Sequence, residues 1–177
     1  MQPDIQDQAV IDADELMAKT AGFKLSAERE AMVDDLQSRY PNKKATLLPL
    51  LWAIQEQEGW ISREWMAYAA RRCEVPLSHV LGVVTFYTMY HQKPVGKYHV
   101  QVCRNISCHI RGATGIIDAV ERKLGLQHGG VSACGKWSLE HVECLAGCSW
   151  APVMQINRTL HENLSPDQAV KILDELE

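Results

Sequence analysis

The sequence predicts an α+β protein in which a bundle of helices is followed by a small α/β domain. Up to about residue 90, apolar residues recur at helical spacing and are separated by turn signals. Residues 93–96, Lys-Pro-Val-Gly, mark a boundary, and beyond them the apolar pattern alternates as it does in a strand. We therefore expect a tail over residues 1–24, a helical bundle over 25–93 and an α/β domain over 94–177.

Four short helices account for the expected bundle. The second of them ends at Gly59, a natural residue after a helix, and it tolerates Pro49 only if that proline lies in its first turn. Serines that can cap a helix precede the first and third helices and open the fourth. The helices are expected to begin at or near Ser26, Ala45, Ser62 and Ser78. Residues 9–18 allow either one more short helix or a mobile tail.

The α/β domain is predicted to begin with a strand that ends at Cys103. Tyr98, Val100 and Val102 alternate and so share one face of this strand. A helix should follow Cys108, with a single apolar stripe formed by Ile110, Ala113, Ile117, Val120 and Leu124. Further strands are expected over residues 137–142, 152–156 and 159–161.

The last helix has the most specific start signal in the chain. Residues 165–168, Ser-Pro-Asp-Gln, combine a capping box with proline at the first helical position. The resulting order of strand, helix, strands and helix is typical of a small α/β sandwich. Two pairs of cysteines follow strands in this order. They should therefore lie at one end of the sheet if those strands run parallel.

Composition excludes several classes of function. A net charge of −4 argues against a nucleic-acid partner, and no apolar run approaches the length needed for direct membrane insertion. The acidic, polar N-terminus resembles neither a secretory nor a mitochondrial signal. Six cysteines without an export signal indicate a cytoplasmic, reducing compartment. Metal or redox roles are therefore favoured over a disulfide framework.

The cysteine spacing points to a metal centre. Cys103 and Cys108 form a C-x4-C pair, and Cys144 and Cys148 form a C-x3-C pair. Thiolates select iron–sulfur clusters, zinc or copper(I), and C-x4-C is also the first spacing of plant-type [2Fe–2S] proteins. A structural zinc module and a set of buried thiols stay open as alternatives. Gly147 is placed where a backbone amide could approach a cluster sulfur closely.

The other cysteines and one histidine define the competing assignments. Cys73 is expected to be a packed thiol, whereas Cys134, in a glycine-flanked loop, is the credible competitor as a ligand. His109 follows Cys108, but a Rieske centre needs a second histidine beside Cys144 or Cys148. A thiol–disulfide exchanger would need C-x-x-C, which the sequence lacks. Trp150 is expected to shield the metal centre or to pack at an interface.

Three motifs carry a resemblance to a known family. Cys103-x4-Cys108, Glu-Cys-Leu-Ala-Gly-Cys at 143–148 and Ala-Pro-Val-Met-Gln at 151–155 resemble the E subunit of bacterial NADH-quinone oxidoreductase, respiratory complex I. The resemblance implies a thioredoxin-like [2Fe–2S] ferredoxin domain after a helical N-terminal domain. It also implies Cys103, Cys108, Cys144 and Cys148 as cluster ligands. The family more often has Cys-Leu-Gly-x-Cys, so the glycine here lies one place later.

The resemblance also implies a partner. The chain shows neither G-x-G-x-x-G nor a P-loop, so FMN and NADH are expected on a flavoprotein subunit with which the cluster exchanges single electrons. The whole would be a larger respiratory complex, with this subunit cytoplasmic and peripheral to the inner membrane. The helical half is expected to help hold the flavoprotein. The alternative is the small subunit of an NAD-linked hydrogenase or formate dehydrogenase.

Overall fold

The computed structural model describes residues 13–176, and residues 1–12 and 177 lie outside that description. The chain divides into two compact units between Pro94 and Val95. No helix within residues 13–176 has the length and apolar character needed to cross a membrane.

The first unit consists of helices and short 3-10 turns. The predicted tail falls partly outside the described residues, but its later part is helical. Leu16 of that part is only 3% exposed, and its helix contacts the fourth helix of the unit. A buried leucine explains why this segment is ordered as a helix. The helices are α1 (Ala13–Lys19), α2 (Ala27–Arg39), α3 (Leu47–Glu58), α4 (Arg63–Cys73) and α5 (Leu77–Phe86).

The helix ends follow the sequence signals closely. Ser26 Oγ accepts from the Arg29 amide at 3.4 Å, and Ser62 Oγ accepts from the Trp65 amide at 3.3 Å. Gly59 ends α3 with a φ of +83°, a value that favours glycine. The fourth predicted helix starts at Leu77 rather than Ser78, because Pro76 takes the capping position. The core of this unit is centred on buried apolar residues of α3, α4 and α5.

The second unit is a four-stranded sheet with helices. Its strands lie in the order β2–β1–β3–β4, with β1 and β2 parallel and the other pairs antiparallel. The α+β class predicted from the sequence is confirmed. The elements are β1 (Tyr98–Cys103), α6 (Ile106–Ile110), α7 (Ala113–Leu124), β2 (Trp137–Val142), β3 (Met154–Ile156), β4 (Thr159–His161) and α8 (Pro166–Asp174).

The two faces of β1 have different chemistry, as its alternation requires. Val100 and Val102 pack in one apolar core with Ile116 and Leu173. The alternate residues are polar but still buried, among them His99. The Nδ1 atom of His99 lies 2.8 Å from Ser138 Oγ on β2, and its Nε2 atom lies 3.3 Å from a Glu140 carboxylate oxygen. Polar contacts therefore link β1 to β2 on this face.

The helix after Cys108 differs from the prediction. One continuous stripe was expected from Ile110 onwards, but the chain breaks at Gly112, whose φ is +96°. The break separates α6 from α7, and it leaves Ile110 76% exposed. Within α7 the fully buried isoleucine is Ile116, while Ile117 is only partly buried. The left-handed turn at Gly112 rotates the second helix away from the phase of the first.

Candidate metal centre

All four predicted ligands lie near the same edge of the sheet. Cys103 is the last residue of β1, and Cys144 follows the end of β2 by two residues. Cys103 pairs with Val142 in the parallel register, so the two loops start side by side. The parallel arrangement on which the sequence argument depended is therefore confirmed. Cys108 lies in α6, and Cys148 begins a 3-10 turn over Cys148–Trp150.

The first pair is buried. Cys103 and Cys108 are each 1% exposed and pack with Ala113, Ala151 and Val153. Burial raises the pKa of Cys108 to about 11, and the hydrogen bond and charge of Cys103 and the charge of Cys148 add to the effect. Cys108 therefore interacts with Cys103, its partner in the first pair, and with Cys148 of the second pair. Without a metal it is a neutral thiol at pH 7, and a bound cation would favour its thiolate.

The second pair is exposed and lies on a loop held by its backbone. Ala146, between Cys144 and Cys148, has a left-handed φ of +60°. Its amide donates to Cys144 Sγ at an N–S distance of 3.3 Å. The sequence argument concerned the Gly147 amide, and the structure shows an amide-to-sulfur hydrogen bond at its neighbour, Ala146.

Gly147 has a different role, which is to give space. Its φ is −90°, a value open to any residue. A Cβ added there would lie 2.9 Å from Cγ1 of Val153 and 3.5 Å from Cδ2 of Leu160. The first distance is shorter than a normal contact, so only glycine lets the loop lie this close to Val153. Val153 belongs to the same small core as Cys103 and Cys108.

Contacts between the two loops bring the pairs together. The Arg104 amide donates to the Val142 carbonyl at 2.9 Å, and the Cys103 amide donates to the Val153 carbonyl at 3.2 Å. On the surface, Arg104 Nε donates to a Glu143 carboxylate oxygen at 2.9 Å. Because this ion pair is exposed, it adds only about 0–1 kcal/mol. The backbone bonds are the main restraint on the loops.

The remaining cysteines are placed elsewhere. Cys73 is buried in the helical unit, where burial raises the pKa of its thiol. Cys134 is exposed and precedes β2, and the neighbouring Gly135 carbonyl accepts from the Lys97 amide just before β1. Cys134 therefore lies at the edge where β1 and β2 begin. Six-residue strands span about 16–20 Å, which separates Cys134 from the edge that carries the other four.

The donor set fits an iron–sulfur cluster by chemistry and by pairing. Four thiols are the ligands that a [2Fe–2S] centre takes, two for each iron. Within residues 13–176, no group of three or more His, Cys, Asp or Glu side chains is arranged to hold a metal ion. A two-iron centre calls for two pairs, and the structure has one buried pair and one exposed pair on loops that start side by side. The Ala146 amide adds a hydrogen bond of the kind that cluster sulfurs accept.

These features fit an iron–sulfur protein, and comparison with known families identifies the class. The family model described as thioredoxin-like [2Fe-2S] ferredoxin matches residues 33–177. The chain belongs to this family. The resemblance and the fold predicted from the sequence are confirmed.

Individual relatives agree with the family. The chain is 37% identical over 161 residues to the E subunit of NADH-quinone oxidoreductase from Rickettsia bellii, covering 89% of this chain and 96% of that protein. It is 33% identical over 150 residues to the E subunit of the same complex from Mycobacterium bovis, covering 85% of this chain and 60% of that protein. Both relatives are named as subunits of an oxidoreductase complex, the enzyme class expected from the sequence.

A solved structure has the same fold. The crystal structure of a NAD+-reducing [NiFe]-hydrogenase in the H2-reduced state aligns with a TM-score of 0.61 and 16% sequence identity. The alignment covers 72% of this chain and 22% of the hydrogenase chain. At this identity, the likeness concerns the fold.

Proposed function

We propose that this protein binds a [2Fe–2S] cluster through Cys103, Cys108, Cys144 and Cys148 and acts as the electron-transfer subunit of a bacterial NADH-quinone oxidoreductase. The observation that carries the proposal is the meeting of two cysteine pairs at one edge of the sheet. The relatives from NADH-quinone oxidoreductases support the assignment to this complex. Their match over most of the chain makes the particular complex a better supported choice than a free ferredoxin.

The two pairs divide the work of the site. When bound, a [2Fe–2S] centre takes up and gives up one electron at a time. Cys103 and Cys108 lie in an apolar pocket that keeps water from one side. Cys144 and Cys148 lie at the surface, where a redox partner can approach. The site is thus open on one side only.

The proposed partner is a flavoprotein subunit that holds FMN and NADH. NADH gives up two electrons as hydride, so a flavin must stand between it and a one-electron centre. Large apolar side chains near the cysteines offer a contact surface for such a partner. We call this set the apolar rim: Ile106, Ile110 and Trp150, which are 70%, 76% and 53% exposed. Exposed apolar and aromatic residues are enriched in the cores of protein interfaces.

Reduction by NADH tests the division of labour. The isolated chain, with its cluster, is expected to accept an electron from dithionite and none from NADH. When the purified flavoprotein subunit is added, NADH should reduce the cluster. The reduction is measured as bleaching of the cluster's visible absorption. NADH reduction of the flavin-free chain at a catalytic rate would contradict the proposal. So would a cluster that stays oxidised in the complete pair while the flavin is reduced.

The apolar rim gives a matched test of the interface. Ile110→Lys places a charge two residues from Cys108, and it should weaken binding of the flavoprotein at least tenfold. Val131→Lys is the control, because Val131 is similarly apolar and exposed but bridges Ser138 near the start of β2, away from the four proposed ligands. Calorimetric titration of both variants decides the matter. Equal affinities for the two variants would show that the rim is not the contact surface.

A second assignment is the small subunit of an NAD-linked hydrogenase or formate dehydrogenase. The fold shared with the NAD+-reducing hydrogenase is the observation that favours it. The proposed placement of the subunit, cytoplasmic and peripheral to the inner membrane within a larger respiratory complex, belongs to the first assignment. Mass spectrometry of the large subunits that co-purify from the native source separates the two. Quinone-reductase subunits support the first, and a nickel–iron or molybdenum subunit supports the second.

A further inference from the structure

The loop between the exposed cysteines contains a conformation that needs an explanation. Ala146 has a φ of +60°, in the left-handed region. Residues other than glycine seldom adopt it, and asparagine or aspartate, which can hydrogen-bond locally, are the usual exceptions. Alanine has no such group. Something outside its own side chain must therefore hold Ala146 in place.

The residue that follows supplies the restraint. Gly147 lies so close to Val153 that a Cβ would stand 2.9 Å from Cγ1. Its carbonyl also accepts a hydrogen bond from the Trp150 amide at 3.0 Å. Ala146 cannot relax to a negative φ without moving Gly147 away from both contacts. Both restraints act through Gly147: its packing on Val153 and its hydrogen bond at the start of the 3-10 turn fix the loop after Ala146.

The same loop directs one backbone amide at a sulfur. The Ala146 N–H lies 3.3 Å from Cys144 Sγ, measured from nitrogen to sulfur. An N–H donor stabilises negative charge on sulfur, and hydrogen bonds to cluster sulfurs are among the factors that set reduction potentials. The reduced centre carries one more negative charge than the oxidised one. Such a donor therefore favours the reduced form.

We propose that Ala146 is a positioning residue whose backbone amide, held by the packing of Gly147 on Val153, raises the reduction potential of the centre bound at Cys144. This rests on the proposed function, because it requires Cys144 to be a cluster ligand. The effect belongs to the amide and not to the methyl group. Side chains that tolerate a left-handed φ should therefore preserve it, as glycine and asparagine do.

The decisive experiment removes the amide proton and little else. Replacing Ala146 by L-lactic acid, through nonsense suppression in the full chain, turns the peptide N–H into an ester oxygen. The midpoint potential, from an EPR-monitored titration of the reconstituted chain, should shift to more negative values. Ala151 allows the same replacement as a control, since its amide donates to the Cys148 carbonyl and not to a sulfur. Ala146→Gly should keep the potential of the unaltered chain.

The outcomes separate this inference from the function on which it rests. An unchanged potential in the lactic-acid chain, or an equal shift at Ala151, overturns the inference and leaves the cluster assignment standing. Absence of any iron–sulfur signal from the unaltered chain overturns both. If the ester chain does not load a cluster, pulsed EPR on protein labelled with 15N-alanine decides. A nitrogen coupling lost in Ala146→Gly supports the inference, and identical spectra contradict it.

Discussion

The two cysteine pairs are held at the same sheet edge by different means. Cys103 and Cys108 are surrounded by packed side chains and are almost inaccessible to solvent. Cys144 and Cys148 are exposed, and their loop is shaped by the backbone of Ala146 and Gly147. One pair therefore depends on apolar packing and the other on main-chain conformation. The same substitution should have different consequences in the two pairs.

The largest expected effect is loss of the centre. Serine in place of any of the four cysteines should abolish or strongly distort the visible and EPR spectra of the cluster, because a hydroxyl is a poorer ligand than a thiolate. Cys73→Ser and Cys134→Ser are the controls and should retain normal spectra. Loss of the cluster in Cys134→Ser, with a normal spectrum in one of the four, would show a misassigned ligand.

Without metal, the four cysteine-to-serine variants should differ in their free energy of unfolding. Cys103→Ser and Cys108→Ser place a hydroxyl in an apolar pocket, which should lower the free energy of unfolding by about 1–3 kcal/mol. Cys144→Ser and Cys148→Ser change exposed positions and should stay within about 0.5 kcal/mol of the starting protein. Urea denaturation of the metal-free chains measures both. Equal losses in the two pairs would remove the distinction between them.

For the loop that carries the exposed pair, substitution of Gly147 should lower the stability of the metal-free chain more than substitution of Cys144 or Cys148. In Gly147→Ala the new Cβ meets Val153 at 2.9 Å, so overpacking should cost about 1–3 kcal/mol of stability. Gly115→Ala is a matched control in α7, because its Cβ would lie an ordinary 3.5 Å from Pro166 Cγ. There a gain of roughly 0.5–1 kcal/mol is expected. Thermal unfolding of both variants tests the contrast.

The sequence predicted most of the strands and helices that surround this site. The alternation in β1 and the signals at Ser62 and Ser165 depend on neighbouring residues, and the structure has these elements where the sequence predicts them. The capping box at Ser165 is present with both of its hydrogen bonds. The sequence pattern also showed that the cysteine pairs would lie at one end of the sheet if the strands before them run parallel. Whether β1 and β2 pair that way depends on contacts distant in sequence.

The errors lie where backbone conformation decides. No spacing rule showed that Gly112 would end a helix in a left-handed turn and leave Ile110 exposed. The glycine in Cys-Leu-Ala-Gly-Cys suggested only an amide near a sulfur, and sequence reasoning missed that Gly147 is required for space against Val153. That requirement comes from Val153, which follows Cys148 in the sequence. A one-residue shift of glycine cannot be interpreted without that contact.

A smaller effect is expected at Ala146 itself. A left-handed conformation costs alanine about 1–2 kcal/mol relative to glycine, so Ala146→Gly should stabilise the metal-free chain by about 1 kcal/mol. Part of the gain is offset by the greater freedom of glycine in the unfolded chain. Ala146→Val should be destabilising, since β-branched residues tolerate a positive φ least. Urea midpoints that rank valine above glycine would contradict the strain at this residue.

The smallest effect concerns pH and the strand that leads to the exposed pair. Burial lowers the pKa of His141 on β2, a shift that Glu121 opposes and the charges of His128 and Arg104 reinforce. Since the unfolded chain binds the proton more readily, stability should decline as pH falls below the ordinary histidine pKa of about 6.5 and level off below the folded value. His141→Phe, which can keep the stacking on His128, should flatten this part of the profile. An unchanged slope between about pH 7.5 and 5.5 would assign it to other groups.

The central claim, that two pairs of thiols at one sheet edge hold a [2Fe–2S] cluster, is tested most directly by metal and sulfide analysis. Protein purified without air and assayed for iron, acid-labile sulfide and zinc gives the answer in one experiment. The account predicts iron and sulfide in equal amounts, about two of each per chain. One zinc per chain with no labile sulfide would contradict it and would make the cysteines a structural zinc site.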